Sequence, residues 1–118
     1  MTEPSAIDPE AINNLRDLNP GDGGEFLKEI INIYIEDTPI RIAELKSSLA
    51  AGDVATFTRS AHTIKGSSAN VGAVILKGVA ERMESLSRRE GLKGMPTLIA
   101  DCEAEFAKAS AELRKLTS

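Results

Sequence analysis

The sequence predicts an all-α fold: an antiparallel, up-and-down four-helix bundle carrying a short additional helix at its N-terminus. Three observations predict it. Leu, Ile, Ala, Glu and Lys dominate the composition, and these residues favour helix. Apolar residues recur at threes and fours through four long stretches. Gly, Pro and Asn cluster between those stretches, and long helices joined by such short breaks must run antiparallel. With hydrophobic residues at 42% and aromatics at only 3%, the core has to be aliphatic. At 118 residues the chain is expected to form a single domain over residues 1–118.

Taken in order, Met1 to Ser5 are expected to fray. Asp8-Pro9-Glu10 is a helix start: an N-cap, a proline at the first helical position and an acid in the first turn. A short helix with Ala11, Ile12, Leu15 and Leu18 on its apolar side follows, and Asn19-Pro20-Gly21-Asp22-Gly23-Gly24 ends it. The second helix runs from about Glu25 to about Ala50. Its broad apolar face holds Leu27, Ile30, Ile31, Tyr34, Ile35, Ile42, Leu45 and Leu49, and Pro39 predicts a kink near Asp37-Thr38. Phe26, Ile33 and Ile40, spaced by sevens, fall on a flank of that face. They either receive the first helix or form a patch that docks a partner protein.

Gly52 stops the second helix and Asp53 caps the third, which runs from about Val54 to about Asn70. Asn70-Val71-Gly72 reads as a tight corner. The fourth helix, from about Ala73 to about Arg89, is expected to bury Ile75, Leu76, Val79, Met83 and Leu86. Gly91 and Gly94-Met95-Pro96 mark the last connection. Met95, Leu98, Ile99, Cys102, Phe106, Ala109, Leu113 and Leu116 then step down a closing helix.

Several function classes fall away at this level. A formal charge of -4, with acids spread along the chain, argues against nucleic acid as a partner. One cysteine fits a reducing, cytoplasmic compartment, and no signal peptide or membrane span is expected. One histidine and one cysteine on different helices supply no metal-ligand set, so no metal or cofactor of the chain's own is expected. Cys102 lies on a core stripe, which separates it from His62 as a nucleophile–base pair. Gly21 to Gly24 lacks the Lys-Ser/Thr of a phosphate loop.

What remains is the stretch from Ser60 to Gly72, which holds His62, the chain's single histidine. At about 100° per residue, Val54, Phe57, Ala61, Ile64 and Val71 form one stripe with Ser68 beside it. His62 lies about a third of a turn away, facing solvent. Gly66 follows it by one turn, Ala69 by two, and Ala55 precedes it by two. A mid-helix glycine costs about 1 kcal/mol relative to alanine. The compensating gain is space above the imidazole for a bulky partner. Arg59 and Lys65 flank the ring three residues either side. An exposed imidazole without cover, edged with cations, suits a nucleophile that will carry a negative group.

His62-Thr63-Ile64-Lys65-Gly66-Ser67-Ser68-Ala69-Asn70-Val71-Gly72-Ala73 resembles the signature of histidine-containing phosphotransfer (HPt) domains. The likeness extends to Ala50-Ala51-Gly52-Asp53 and to Met83-Glu84, and with the helix plan it covers roughly residues 8 to 116. Ile64, where leucine is commoner, and Gly78 are its departures. The resemblance implies that His62 takes a phosphoryl group from the aspartyl phosphate of one response-regulator receiver domain and hands it to the aspartate of another. The partners would be receiver domains, alone or within a hybrid histidine kinase, and they would supply the magnesium ion and the acidic pocket. On that likeness the chain carries no base beside the histidine and needs none. An imidazole of ordinary pKa near 6.5 is substantially neutral at cellular pH.

Lys65 matches the family's charge-stabilising lysine, Gly66 the glycine that keeps the approach open, and Arg59 is a further candidate. Ala55, Ala69, Phe26, Ile33 and Ile40 are the candidate partner-facing residues. A monomer is expected, since one apolar face per helix closes the bundle. Two other readings stay open: the phosphoacceptor domain of a chemotaxis-type histidine kinase, and a helical adaptor whose histidine is idle.

Overall fold

The computed structural model describes residues 6–18, 21 and 24–117. The expectation of a frayed Met1–Ser5 lies outside them, as do Asn19-Pro20 and Asp22-Gly23 of the predicted break. Five helices follow one another, with no strand among the described residues: α1 (Pro9–Asp17), α2 (Glu25–Ala51), α3 (Val54–Asn70), α4 (Val74–Glu90) and α5 (Met95–Thr117).

The helix ends follow local chemistry. The Asp8 carboxylate accepts from the Glu10 amide at 3.0 Å, with Pro9 leading α1. Gly52 closes α2 in the left-handed region at φ 70°. Asp53 then caps α3, accepting the Thr56 amide at 3.1 Å and its hydroxyl at 2.6 Å. Pro39 sits inside α2, which runs unbroken through it, and the Thr38 hydroxyl donates to the Tyr34 carbonyl at 2.7 Å.

The long helices pack in a ring, α2 on α3, α3 on α4, α4 on α5 and α5 on α2. Paired positions show neighbours running opposite ways. Tyr34 meets Ser68 while Glu44, ten residues later, meets Ser60. Thr58 meets Ser87 across the α3–α4 seam. Tyr34 and Phe106 meet edge to face at 5.9 Å between α2 and α5. The enclosed core is aliphatic, built on Ile31, Leu45, Ile64, Leu76 and Leu113, with Phe57 and Met83 fully buried among them.

Burial lifts two ionisable groups in this core. The Tyr34 phenol is pushed up to about 12 by desolvation, against a hydrogen bond from Ser68, and the Cys102 thiol is pushed up to about 12 by desolvation. Both stay protonated in the folded chain while their unfolded counterparts ionise from about pH 9 upward, so the native state binds more protons in that window. Stability is therefore expected to be intact below pH 9 and to fall above it by about 1.4 kcal/mol per pH unit for each ionising group. Urea unfolding at pH 7.5 and 10.5 measures this; equal midpoints would contradict the burial argument.

Several sequence expectations are corrected. Ile33 and Ile40 are 56% and 54% exposed, so α1 does not cover that flank. Instead α1 starts at the α3–α4 corner, where the Asp8 amide donates to the Gly72 carbonyl at 2.8 Å. The docking is set by a backbone bond and by Ile7 and Ile12, features a flank pattern on α2 does not register. Leu18 lies past the end of α1 and is 70% exposed. Val54, at the first turn of α3, is exposed because it projects beyond the end of the core. Ile75, Val79 and Leu86 are only half-buried, since the stripe of α4 centres on Leu76, Ala80, Met83 and Ser87.

Candidate functional site

His62 stands at mid-length of α3 with its side chain 61% exposed. Its backbone is fixed by neighbours that turn inward: Ala61 and Ile64 are fully buried, and Ser60 is held by the Glu44 carboxylate at 3.2 Å. Gly66, one turn later, is exposed, and a Cβ added there would meet nothing within 4 Å. Ala55 and Ala69, two turns to either side, are exposed and small. The imidazole therefore projects from a helix face with no bulk along it.

The ring is not without a carboxylate, which corrects the expectation that no base stands beside it. Glu84 of α4 places Oε2 2.8 Å from His62 Nδ1. Its side chain is only 5% exposed and serves three partners. Oε1 accepts from Lys65 Nζ at 2.7 Å, and Oε2 also takes Arg88 Nη2 at 2.9 Å. Burial pushes the Glu84 carboxyl up, but the hydrogen bonds from Lys65 and His62 and their charges outweigh it and hold it below the usual range. Glu84 is therefore ionised and can only accept, so His62 Nδ1 must donate. The proton sits on Nδ1, and the outer nitrogen, Nε2, keeps its lone pair with no partner among the described residues.

Lys65, 29% exposed, is thus tied to Glu84 rather than aimed at the ring, one turn from it on the same helix. Arg88, 63% exposed, stands on the same carboxylate and borders a shallow groove with Lys65, Glu81, Ser85 and Arg89. No hydrogen bond or ion pair joins the Arg59 side chain to His62; its charge acts on Asp53 at the start of the helix. Phe26 is half-buried, and Ile33 and Ile40 are exposed on α2.

Sequence reasoning missed Glu84 and Arg88 as site residues. Glu84 did carry a signal, for it stands four residues after Ala80 and three before Ser87, at the edge of the buried stripe of α4. An acid at a buried position needs partners, and partners drawn from another helix mark a site.

An antiparallel four-helix bundle that holds one imidazole in the open, with its inner nitrogen held by a buried acid, is a protein built to present a nucleophilic histidine. The Hpt domain family model matches residues 29–115, and the chain belongs to that family, the histidine-containing phosphotransfer domains. It is 33% identical over 94 residues to multistep phosphorelay regulator 1 of Schizosaccharomyces pombe, a match over 77% of this chain and 32% of that protein. The chain thus spans about a third of the length of this curated relative. Its fold superposes on the crystal structure of histidine-containing phosphotransfer protein B from Pseudomonas aeruginosa PAO1 with a TM-score of 0.86 and 28% identity, covering 96% of this chain and 95% of that one. The HPT domain of a sensor hybrid histidine kinase from Shewanella shares the fold, with a TM-score of 0.75 at 15% identity over 95% and 93% of the two chains.

Proposed function

We propose that this chain is a phosphorelay intermediate in two-component signalling, and that His62 Nε2 is the atom that carries the phosphoryl group. The observation that supports this most directly is the 2.8 Å contact of the buried Glu84 carboxylate with His62 Nδ1. It leaves Nε2 as the unprotonated, outward nitrogen beside a glycine with open space over it. The attack is in line: the Nε2 lone pair forms the N–P bond as the bond to the donor's acyl oxygen breaks, and the aspartate leaves as a carboxylate. Transfer of this kind depends on positioning and charge neutralisation more than on covalent help. The receiver supplies the magnesium ion and the acidic pocket. Lys65 and Arg88, already gathered at the ring's inner edge, turn toward the new phosphoryl oxygens. Gly66 admits the receiver, and Arg59, exposed on the same helix, lends long-range positive charge. The carrier works as a monomer in the cytoplasm. No helix among the described residues is long and apolar enough to cross a membrane.

The receiver's resting place is the face shared by α2 and α3. At about 100° per residue, Ile33 and Ile40 lie on the side of α2 that also holds Glu44, the partner of Ser60 on α3. The antiparallel register that pairs Glu44 with Ser60 and Tyr34 with Ser68 brings Ile40 near the level of Thr63, beside His62, and Ile33 near Ala69. Phe26 continues the row. Replacing Ile33 and Ile40 together by aspartate should weaken receiver binding by roughly tenfold or more. Thermal stability should change little, because both side chains already face water. Titration against a receiver by calorimetry reads the first effect and a melting curve the second.

The direct test mixes the protein with a receiver charged by a small phosphodonor. His62 is expected to gain an acid-labile, alkali-stable phosphoryl group, and His62→Gln to gain none. An adaptor with an idle histidine would stay unlabelled and would bind its partners equally well as His62→Gln.

A further inference from the structure

Glu84 has a consequence for the second half of the transfer, when the phosphoryl group leaves. We propose that Glu84 is a positioning residue that retains the Nδ1 proton of His62 in both the empty and the phosphorylated state, so that the departing phosphoryl group always leaves a neutral imidazole behind. The proposal rests on the phosphorelay reading above and extends it from where the group binds to how it is released.

The chemistry balances without any proton movement. On loading, Nε2 bonds to phosphorus while Nδ1 keeps its hydrogen, and the ring becomes an imidazolium that bears the phosphoryl group. On discharge, an acceptor carboxylate oxygen bonds to phosphorus, the N–P bond breaks, and its electron pair returns to Nε2. What leaves is the starting imidazole with hydrogen still on Nδ1. Should the phosphorylated ring lose that hydrogen to solvent, the group left behind on discharge would be an imidazolate anion, a far poorer leaving group. The phosphoryl group would then be stranded until the ring regained a proton.

The geometry opposes that loss. The ring's inner edge faces a carboxylate that is 5% exposed and 2.8 Å away, so the Nδ1 hydrogen points into a charged acceptor rather than into water. Two cations on the same carboxylate keep it ionised: Lys65 from α3 at 2.7 Å and Arg88 from α4 at 2.9 Å. The other charged groups on these two helices are Arg59 on α3 and Lys77, Glu81, Arg82, Arg89 and Glu90 on α4, of which Glu81 and Arg89 border the groove beside Glu84. On the facing stretch of α2, Glu44 is occupied by Arg41 at 2.8 Å and by Ser60, and Asp37 by Arg41 at 3.2 Å. The carboxylate at the ring is therefore Glu84 alone, and its charge favours the imidazolium over the neutral phosphorylated ring.

The test compares wild type, Glu84→Gln and Lys65→Met, each loaded through a charged receiver and then mixed with an uncharged one at pH 6 to 8.5. Glutamine keeps the size and an accepting oxygen but lacks the charge. The discharge rate of wild type over that of Glu84→Gln is expected to grow with pH, from about twofold at pH 6 to roughly a hundredfold at pH 8.5, as the variant's ring loses its proton. Taking this ratio removes the receiver's own pH dependence. Lys65→Met leaves the Nδ1 contact in place, with Arg88 still on the carboxylate to hold it ionised over this range, so its ratio to wild type should be the same at every pH. A constant ratio for Glu84→Gln as well would reduce Glu84 to a structural role and overturn the proposal.

A second measurement needs no variant and no phosphate. Nitrogen-15 spectra of the unphosphorylated wild type should show the Nδ1–H tautomer, and finding the Nε2–H form would refute the proposal while leaving the relay reading standing. Phosphorus-31 spectra separate the other failure: if wild-type His62 never carries phosphate, the relay reading falls and this inference with it.

Discussion

Gly66→Leu is expected to cut phosphoryl transfer by roughly a hundredfold or more while leaving the protein at least as stable as wild type. The two effects have separate physical origins. Residue 66 is exposed and an added Cβ there meets nothing within 4 Å, so the bundle has little reason to resist a larger side chain that extends into solvent. Replacing a mid-helix glycine by leucine should add about 0.8 kcal/mol to helix stability. The same side chain occupies the space one turn from His62 through which a receiver's aspartate must approach in line. A displacement of about 1 Å at the reacting atoms is enough to cost about a hundredfold. Melting curves paired with transfer kinetics check both signs. A leucine variant that exchanges phosphate at the wild-type rate would remove the steric account of this glycine. Gly66→Ala separates the two parts, since it should gain the stability and lose far less of the transfer.

The stability half of that prediction was legible in the sequence, as was most of the fold. The helix boundaries at Asp8-Pro9 and Gly52-Asp53 are decided by residues within four positions of each other, and caps of that kind act wherever the rest of the chain goes. Most of the core faces of α2, α3 and α5 follow from spacing alone, with Val54 and Leu116 at helix ends left exposed. The sequence was silent wherever the answer depended on what lies across a helix interface. Ile33 and Ile40 fit an intramolecular contact by pattern, yet α1 docks elsewhere and leaves both exposed. Glu84 is the sharper case. Two of its three partners, His62 and Lys65, stand about twenty residues away in the chain, and no period within α4 records them. A motif centred on the histidine identifies the nucleophile but not the acid that sets its tautomer, because that acid arrives by packing.

The largest stability loss is expected from Gly72→Ala, at the corner between α3 and α4. Gly72 holds φ 75°, where a residue with a Cβ is strained by about 1–2 kcal/mol. Here the conformation is only part of the difficulty. An added methyl would sit 2.8 Å from the Ala11 Cβ and 2.9 Å from the Asp8 carbonyl oxygen, distances at which something must move. The Asp8 oxygen is backbone and accepts the Ile12 amide of α1, so it has little freedom to yield. Relief requires α1 to lift, which stretches the 2.8 Å bond from the Asp8 amide to the Gly72 carbonyl and begins to uncover Ile7 and Ile12. Strain and displaced packing together should cost about 3 kcal/mol, a drop of roughly 10 °C in melting temperature for a chain of this size. Amide exchange should show protection lost first in α1 and at the corner, with the seams of α2, α3 and α4 around His62 less affected. Gly78→Ala is the control: that glycine lies inside α4 with nothing within 4 Å of the added carbon, so alanine there should stabilise by up to about 1 kcal/mol. If Gly72→Ala melts with wild type, α1 is not anchored at this corner, and the short helix contributes less to the bundle than its contacts indicate.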